Sequence, residues 1–290
     1  FCLFWTEELF LEENRMNHNV YPKIAVISDF TGFGRCALSV EIPIISQMGI
    51  QCCGVPTSIL SNHSEFSSFF FRDCTEDLVP YTEEWKKIKL RFNGILTGFY
   101  GSEGQIDFVK MFIKEFSQED TVVVVDPIMG DNGKVYATYT KRMCDKMKEL
   151  TEYAHVLTPN LTELCILADR PYRSDYSYAQ IADMCKNTVR GRDCSVVVTG
   201  IVRGSYIVNF VWENGSYCLV RKKTAGENRC GTGDVFASVA AGKLVNKAPL
   251  RLAVKTAADF VSECITESDI IGIPKSDGVC FEKILYRLRG

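Results

Sequence analysis

Gly231-Thr232-Gly233-Asp234, running on into Val235-Phe236-Ala237-Ser238-Val239-Ala240-Ala241-Gly242, is the stretch on which the fold turns. Two glycines allow a turn tight enough for consecutive N–H groups to converge on one anion. Beyond Asp234, the apolar Val235, Val239 and Leu244 alternate with small residues at helical spacing, so a helix is expected to begin here. The product is a phosphate cradle at a helix N-terminus. An aspartate fixed beside a cradled phosphoryl group can accept the proton of an attacking hydroxyl, as phosphoryl transfer to an alcohol requires. Standing alone, the same four residues also fit a Gly-rich turn with an aspartate N-cap, and the rest of the chain has to separate the two.

The chain has 290 residues, 46% of them hydrophobic, which is enough for a large α/β core. A net charge of −3, with Arg221-Lys222-Lys223 as the longest basic cluster, gives no electrostatic footprint for nucleic acid or an anionic membrane. The 13 cysteines contain no C-x-x-C pair and only 3 histidines accompany them, so neither a zinc site nor a disulfide framework has its spacing. The thiols are expected to be reduced and mostly buried, in a cytoplasmic protein. No apolar run approaches the roughly 20 residues that span a bilayer. Phe1-Cys2-Leu3-Phe4-Trp5 lacks a basic flank and is followed by Glu7, Glu8, Glu12 and Glu13, a poor signal peptide, and Met16 is a candidate natural start. Residues 1–19 therefore read as a leader or peripheral segment, and residues 20–290, free of repeats and linkers, as one domain.

In chain order, residues 23–28 form an apolar strand, a glycine-containing loop follows, and residues 36–48 carry helical periodicity. Gly32-Phe33-Gly34-Arg35-Cys36-Ala37 fits G-x-G-x-x-A, but the acid that a dinucleotide fold needs about 20 positions later is missing from residues 51–57. A lone His63 in a polar loop reads as structural, and Phe69-Phe70-Phe71 as core or interface. Helices are expected over residues 81–91 and 104–117, with a strand over 94–99 between them. Val122-Val123-Val124-Val125 shows no alternation, the mark of a strand covered on both faces of a parallel sheet. It ends in Asp126-Pro127-Ile128-Met129-Gly130-Asp131, so both acids fall at the carboxyl end of a strand, where open sheets bind ligands. Residues 154–163 repeat the pattern, and a capping box from Asn160 or Thr158 explains Glu163 structurally. After a buried strand at 194–200, residues 205–212 and 215–224 read as an antiparallel hairpin bordering a nucleotide pocket, and helices over 249–267 and 278–288 close the chain.

Taken together, Ser28 with its Gly-containing loop, Ser61-Asn62-His63, Thr97-Gly98-Phe99, Asp126-Pro127-Ile128-Met129-Gly130-Asp131, Thr158-Pro159-Asn160-Leu161-Thr162-Glu163 and Gly231-Thr232-Gly233-Asp234 resemble the pyridoxal (pyridoxine, pyridoxamine) kinases of the ribokinase superfamily. The resemblance spans residues 22–288. It implies an α/β protein with a three-layer α/β/α ribokinase-like fold and a mostly parallel central sheet, the antiparallel hairpin lying near the nucleotide site. It also implies a homodimer, ATP and Mg²⁺, with a monovalent cation such as K⁺ as a further candidate. The activity implied is phosphorylation of the 5′-hydroxymethyl group of pyridoxal, pyridoxine or pyridoxamine in vitamin B6 salvage. In these terms Asp234 is the base, and the N–H groups of Gly231, Thr232 and Gly233 form the anion hole. Asp126, Asp131 and Glu163 organise Mg²⁺ and its waters, Asn160 and Thr199 approach the phosphates, and Ser28, Thr31, Ser64 and Phe99 line the vitamin ring.

Two positions depart from the family, which commonly has tyrosine at Phe99 and threonine at Ser64. A hydroxyl and a methyl contact are thereby lost, which bears on the vitamer and leaves the phosphoryl chemistry intact. A hydroxymethylpyrimidine kinase of thiamine synthesis shares the fold and most motifs, whereas the early Gly-Gly segment of the sugar kinases is absent. A non-catalytic vitamin-binding or regulatory protein on the same fold would have no need of a base beside an anion hole. At a helix N-terminus, Asp234 is expected to be ionised at neutral pH and a weak base.

Overall fold

The computed structural model describes residues 17–227 and 229–289, so the leader reading of residues 1–16 lies outside the described residues. The first strand, β1 (Lys23–Phe33), is parallel to β2 (Gln51–Asn62), and antiparallel β3 (Phe71–Asp73) forms the edge beyond it. Then follow β4 (Gly94–Thr97), β5 (Val122–Val125), the small pair β6 (Gly130–Asp131) and β7 (Lys134–Val135), and β8 (Val156–Leu157). β9 (Ser195–Arg203), β10 (Tyr206–Glu213) and β11 (Ser216–Lys223) complete the set. The nine-stranded sheet has the order β11-β10-β9-β8-β5-β4-β1-β2-β3. Pairing is parallel from β2 across to β9 and antiparallel at both margins.

Both faces of this sheet are covered, which is why its central strands are apolar runs without alternation. The helices are α1 (Leu38–Gln47), α2 (Leu78–Lys87), α3 (Glu103–Phe116), α4 (Lys141–Leu150), α5 (Leu161–Leu167), α6 (Tyr178–Val189), α7 (Thr232–Val245) and α8 (Leu250–Ile271). Ile24, Val26, Leu96 and Val124 meet α1, α7 and α8 on one face, while Ala25, Ile27, Ile95 and Val123 meet α2 to α6 on the other. Thus the three-layer α/β/α arrangement is present. Helix α7 is apolar or small on every side because it lies buried among its neighbours, and a Cβ added at Gly242 would stand 2.6 Å from Met48 Sδ.

The hairpin has its expected turn, with Asn214 and Gly215 at φ of 50° and 76°, as a type I′ turn needs. The helix expected over 278–288 does not form. Only a 3₁₀ turn, Leu285–Leu288, is present there; Gly278 at φ 79° breaks the backbone, and Val279, Phe281 and Ile284 are buried against the α8 face instead. Strand β1 runs five residues beyond the expected Ser28, drawn on by its pairing with the far half of β2. Phe69, Phe70 and Phe71 are 42%, 61% and 45% exposed, so they do not belong to the core. Among the described residues no helix is long and apolar enough to cross a membrane.

Candidate active site

The chain leaves β1 towards β2 on one side and β4, β5, β8 and β9 on the other, so a topological switch lies between β1 and β4, where open sheets bind ligands. Ser28 is buried at this point, and its hydroxyl bears on the carboxyl of Glu41. Gly98, just past β4, is a glycine of necessity, since a Cβ there would come within 2.2 Å of Ser28 Oγ. Phe99 is partly buried, with its ring 6.1 Å from that of Tyr139, and its carbonyl accepts a hydrogen bond from Thr57 Oγ1 at 3.1 Å. Thr31 is buried and donates to Asp29 Oδ2 at 2.7 Å. Ser64 is exposed in the turn after β2.

Gly231 is the N-cap of α7 at φ 78°, a conformation in which a Cβ would meet the carbonyl oxygen of Arg35 at 1.9 Å. The turn is therefore nested into the loop after β1. Reciprocally, the backbone N–H of Ala37 in that loop donates to Asp234 Oδ2 at 2.9 Å. Arg35 and Ala37 hold positive φ of 49° and 54°, an arrangement that costs non-glycine residues about 1–3 kcal/mol each and persists where the surroundings fix it. Burial pushes the Asp234 carboxyl above its usual range, and the Ala37 hydrogen bond only partly offsets this. Withdrawal from solvent acts against the helix N-terminus, and Asp234 is a stronger proton acceptor than the helix end alone would make it.

Asp126 is buried at the end of β5, accepts a hydrogen bond from Thr158 Oγ1 at 3.0 Å, and is pushed up to about 7 by burial and then by the charge of Asp234. Glu163 is held well above the carboxylate range by burial and by Asp126. Its oxygens accept from the backbone N–H of Met129 at 3.1 Å and of Asn160 at 2.8 Å, the second closing the capping box of α5. With both oxygens so engaged, it can reach an ion through water. Asp131 accepts from the Asn132 backbone N–H at 2.8 Å and side-chain Nδ2 at 3.0 Å. The Tyr136 phenol is pushed up by burial and then by Glu163, Asp131, Asp126 and Asp234, so all four carboxylates bear on the space around it. Asn160 donates from Nδ2 to the Gly130 carbonyl at 2.8 Å and forms a parallel bridge with Thr199, which brings the three loops together.

Among the described residues no three His, Cys, Asp or Glu side chains converge closely enough to enclose a metal. Mg²⁺ is a hard cation that keeps several of its waters and takes oxygen ligands from one or two carboxylates. Asp126 and Asp131 offer the oxygen donors. Three participants escape a reading by motif: Ala37 through its backbone, Asp29, and Glu41, whose Oε2 is buried on α1 without a partner. Burial, with Asp234, Asp29 and Asp126 nearby, holds Glu41 well above its usual range. An acid inside the apolar run Leu38-Ser39-Val40-Glu41-Ile42-Pro43-Ile44-Ile45 was a signal available in the sequence.

The family model described as phosphomethylpyrimidine kinase matches residues 42–277. A hydroxymethylpyrimidine/phosphomethylpyrimidine kinase of Aquifex aeolicus is 23% identical over 249 residues, which is 85% of this chain and 95% of that protein. A pyridoxine/pyridoxal/pyridoxamine kinase of Bordetella avium is 25% identical over 251 residues, 80% of this chain and 81% of that protein. A solved structure from Bacteroides thetaiotaomicron, classed with the phosphomethylpyrimidine kinases, shares 35% identity at a TM-score of 0.90, covering 94% of this chain and 96% of that one. One crystal form of that protein contains pyridoxal. A glycine turn opening α7, a half-buried carboxylate in its first turn and a match over most of the length converge on one statement: the chain belongs to the phosphomethylpyrimidine kinase family of ribokinase-like, pyridoxal-kinase-like proteins and is a phosphotransferase acting on an alcohol group.

Proposed function

We propose that the chain phosphorylates the 5′-hydroxymethyl group of pyridoxal, pyridoxine or pyridoxamine with ATP. The observation that supports this reading is Asp234 in the first turn of α7, directly after the Gly231-Thr232-Gly233 turn, with one carboxylate oxygen held by the Ala37 N–H. The hydroxymethyl oxygen lies against Asp234, which takes its proton as the bond to phosphorus forms. The N–H groups of Gly231, Thr232 and Gly233 receive the charge on the transferred phosphoryl group. Asp126 and Asp131 would hold Mg²⁺, with Glu163 reaching it through water, and the ion would supply neutralisation of phosphate charge. Asn160 and Thr199 border the phosphates, and Ser28, Thr31, Ser64 and Phe99 the ring. The exposed Phe69, Phe70 and Phe71 would supply apolar surface for a homodimer.

The Aquifex relative and the family description favour a second reading, hydroxymethylpyrimidine as acceptor. Coupled assays with the three vitamers and hydroxymethylpyrimidine decide between them: the proposal expects the highest kcat/KM with a vitamer, and a preference for the pyrimidine contradicts it. Phe99→Tyr restores a hydroxyl to the ring pocket. It is expected to change the ratio of kcat/KM between vitamers and leave the KM for ATP alone; an unchanged ratio removes Phe99 from the pocket.

Asp126→Asn separates metal binding from folding. The wild-type carboxyl titrates near 7 when folded against 3.8 ordinarily, so the folded state holds the extra proton between these values. Stability from this group is therefore full below about pH 4 and is lost as pH rises to 7. Asparagine keeps the acceptor for Thr158 and carries no charge. The variant should melt higher than wild type at pH 8 without metal, by about 2–4 °C per kcal/mol, and the gap should close towards pH 4. Its half-maximal rate should need more Mg²⁺. A lower melting temperature with unchanged Mg²⁺ dependence contradicts this role.

A further inference from the structure

Asp29 has none of the roles above, yet β1 is built to present it. Ser28 pairs with Pro56 and Phe30 with Ile59, so Thr57 and Ser58 of β2 together face the single residue Asp29. Such a bulge re-aims a side chain and is concentrated beside active sites. This one falls in the second half of β1, next to Ser28 and within reach of the charge of Asp234. The Asp29 side chain is buried, its Oδ2 accepts a hydrogen bond from Thr31 Oγ1 at 2.7 Å, and its own backbone N–H also favours the charged form. No lysine or arginine among them forms an ion pair with it. The groups that feel its charge or act on it are Asp234, Glu41 and the Cys36 thiol, none of them a counter-ion. Burial pushes it up to about 6, which leaves it ionised at neutral pH. Ser58, one of the two residues of β2 that face it, is buried with its hydroxyl unpartnered among the described residues, while the Ser28 hydroxyl bears on Glu41. A buried charge without a complement is costly, and it is retained where a ligand supplies the complement.

We infer that Asp29 is a specificity-determining residue of the acceptor pocket, whose carboxylate takes a hydrogen bond from an exocyclic amine of a hydroxymethyl-bearing heteroaromatic acceptor. This rests on the kinase reading and deepens it. The ring hydroxyl and hydroxymethyl groups are common to the three vitamers, so a carboxylate discriminates at the remaining substituent. Pyridoxamine carries a cationic aminomethyl group there, a charge-assisted donor, and pyridoxal an aldehyde oxygen that only accepts. Hydroxymethylpyrimidine carries an uncharged aryl amine, the other source of the same chemistry.

The test is kcat/KM for pyridoxamine, pyridoxal and hydroxymethylpyrimidine in wild type and Asp29→Asn. Equilibrium dialysis of each acceptor without ATP serves as a second readout. The ratio of an amine-bearing acceptor to pyridoxal should fall about tenfold or more in Asp29→Asn, the size of one hydrogen bond to a charged group, with the KM for ATP unchanged. A fall for pyridoxamine identifies the alkyl ammonium as the partner, and a fall for the pyrimidine alone identifies the aryl amine. If Asp29→Asn does not fold, Thr31→Val, which frees the carboxylate from its anchor, should move the same ratio. Ratios unchanged in both readouts overturn the proposal. Wild type that phosphorylates none of the acceptors overturns the kinase reading instead, while dialysis still reports on Asp29.

Discussion

Asp234→Asn is expected to lower kcat by about 10² or more with ATP binding retained, since a positioned general base contributes typically 10²–10⁴. Asparagine can still accept the Ala37 hydrogen bond, so the strained loop after β1 and the turn at Gly231 keep their geometry. What is lost is the proton acceptor. Removing a charge whose pKa is already raised by burial should also leave apo stability equal or slightly higher at neutral pH. The combination of a large fall in kcat, unchanged ADP binding by calorimetry and an undiminished melting temperature identifies a base. A kcat near that of wild type removes Asp234 from the chemistry.

Gly231→Ala should be comparably damaging for a different reason. An added methyl would sit 1.9 Å from the Arg35 carbonyl oxygen, and neither backbone can withdraw without moving Ala37, whose N–H holds Asp234. The φ of 78° adds strain of its own. A displaced anion hole should cost about 10²–10³ in kcat, the effect of losing one such donor, and the melting temperature should fall as well. Gly233→Ala is the control for stability, because a Cβ there meets nothing within 4 Å and should leave the melting temperature close to wild type. Equal melting temperatures for the two variants would contradict the nested turn.

Much of this site could be read from residue types alone because its chemistry needs particular ones. An anion turn calls for glycine at Gly231, and the run Val122-Val123-Val124-Val125 ending in Asp126 marks a covered strand with its carboxyl end at a ligand crevice. What could not be read depends on neighbours distant in sequence. The bulge at Asp29 exists only in the register of β1 against β2, and nothing in Arg35 or Ala37 announces a positive φ, which the packing of α7 imposes. The upward push on Asp234 is not legible because a helix N-terminus is local and visible, whereas withdrawal from solvent is neither. Residues 278–288 have apolar spacing that suits a helix, and tertiary contacts with α8 prevail over it.

The most direct test of the central claim is the identity of the product. Purified protein with ATP, Mg²⁺ and each vitamer should yield ADP and a phosphate monoester on the 5′-hydroxymethyl oxygen in equal amounts, read by phosphorus NMR coupled to the adjacent methylene protons. ADP released without a vitamer phosphate, or no turnover with any of the three vitamers, would contradict it.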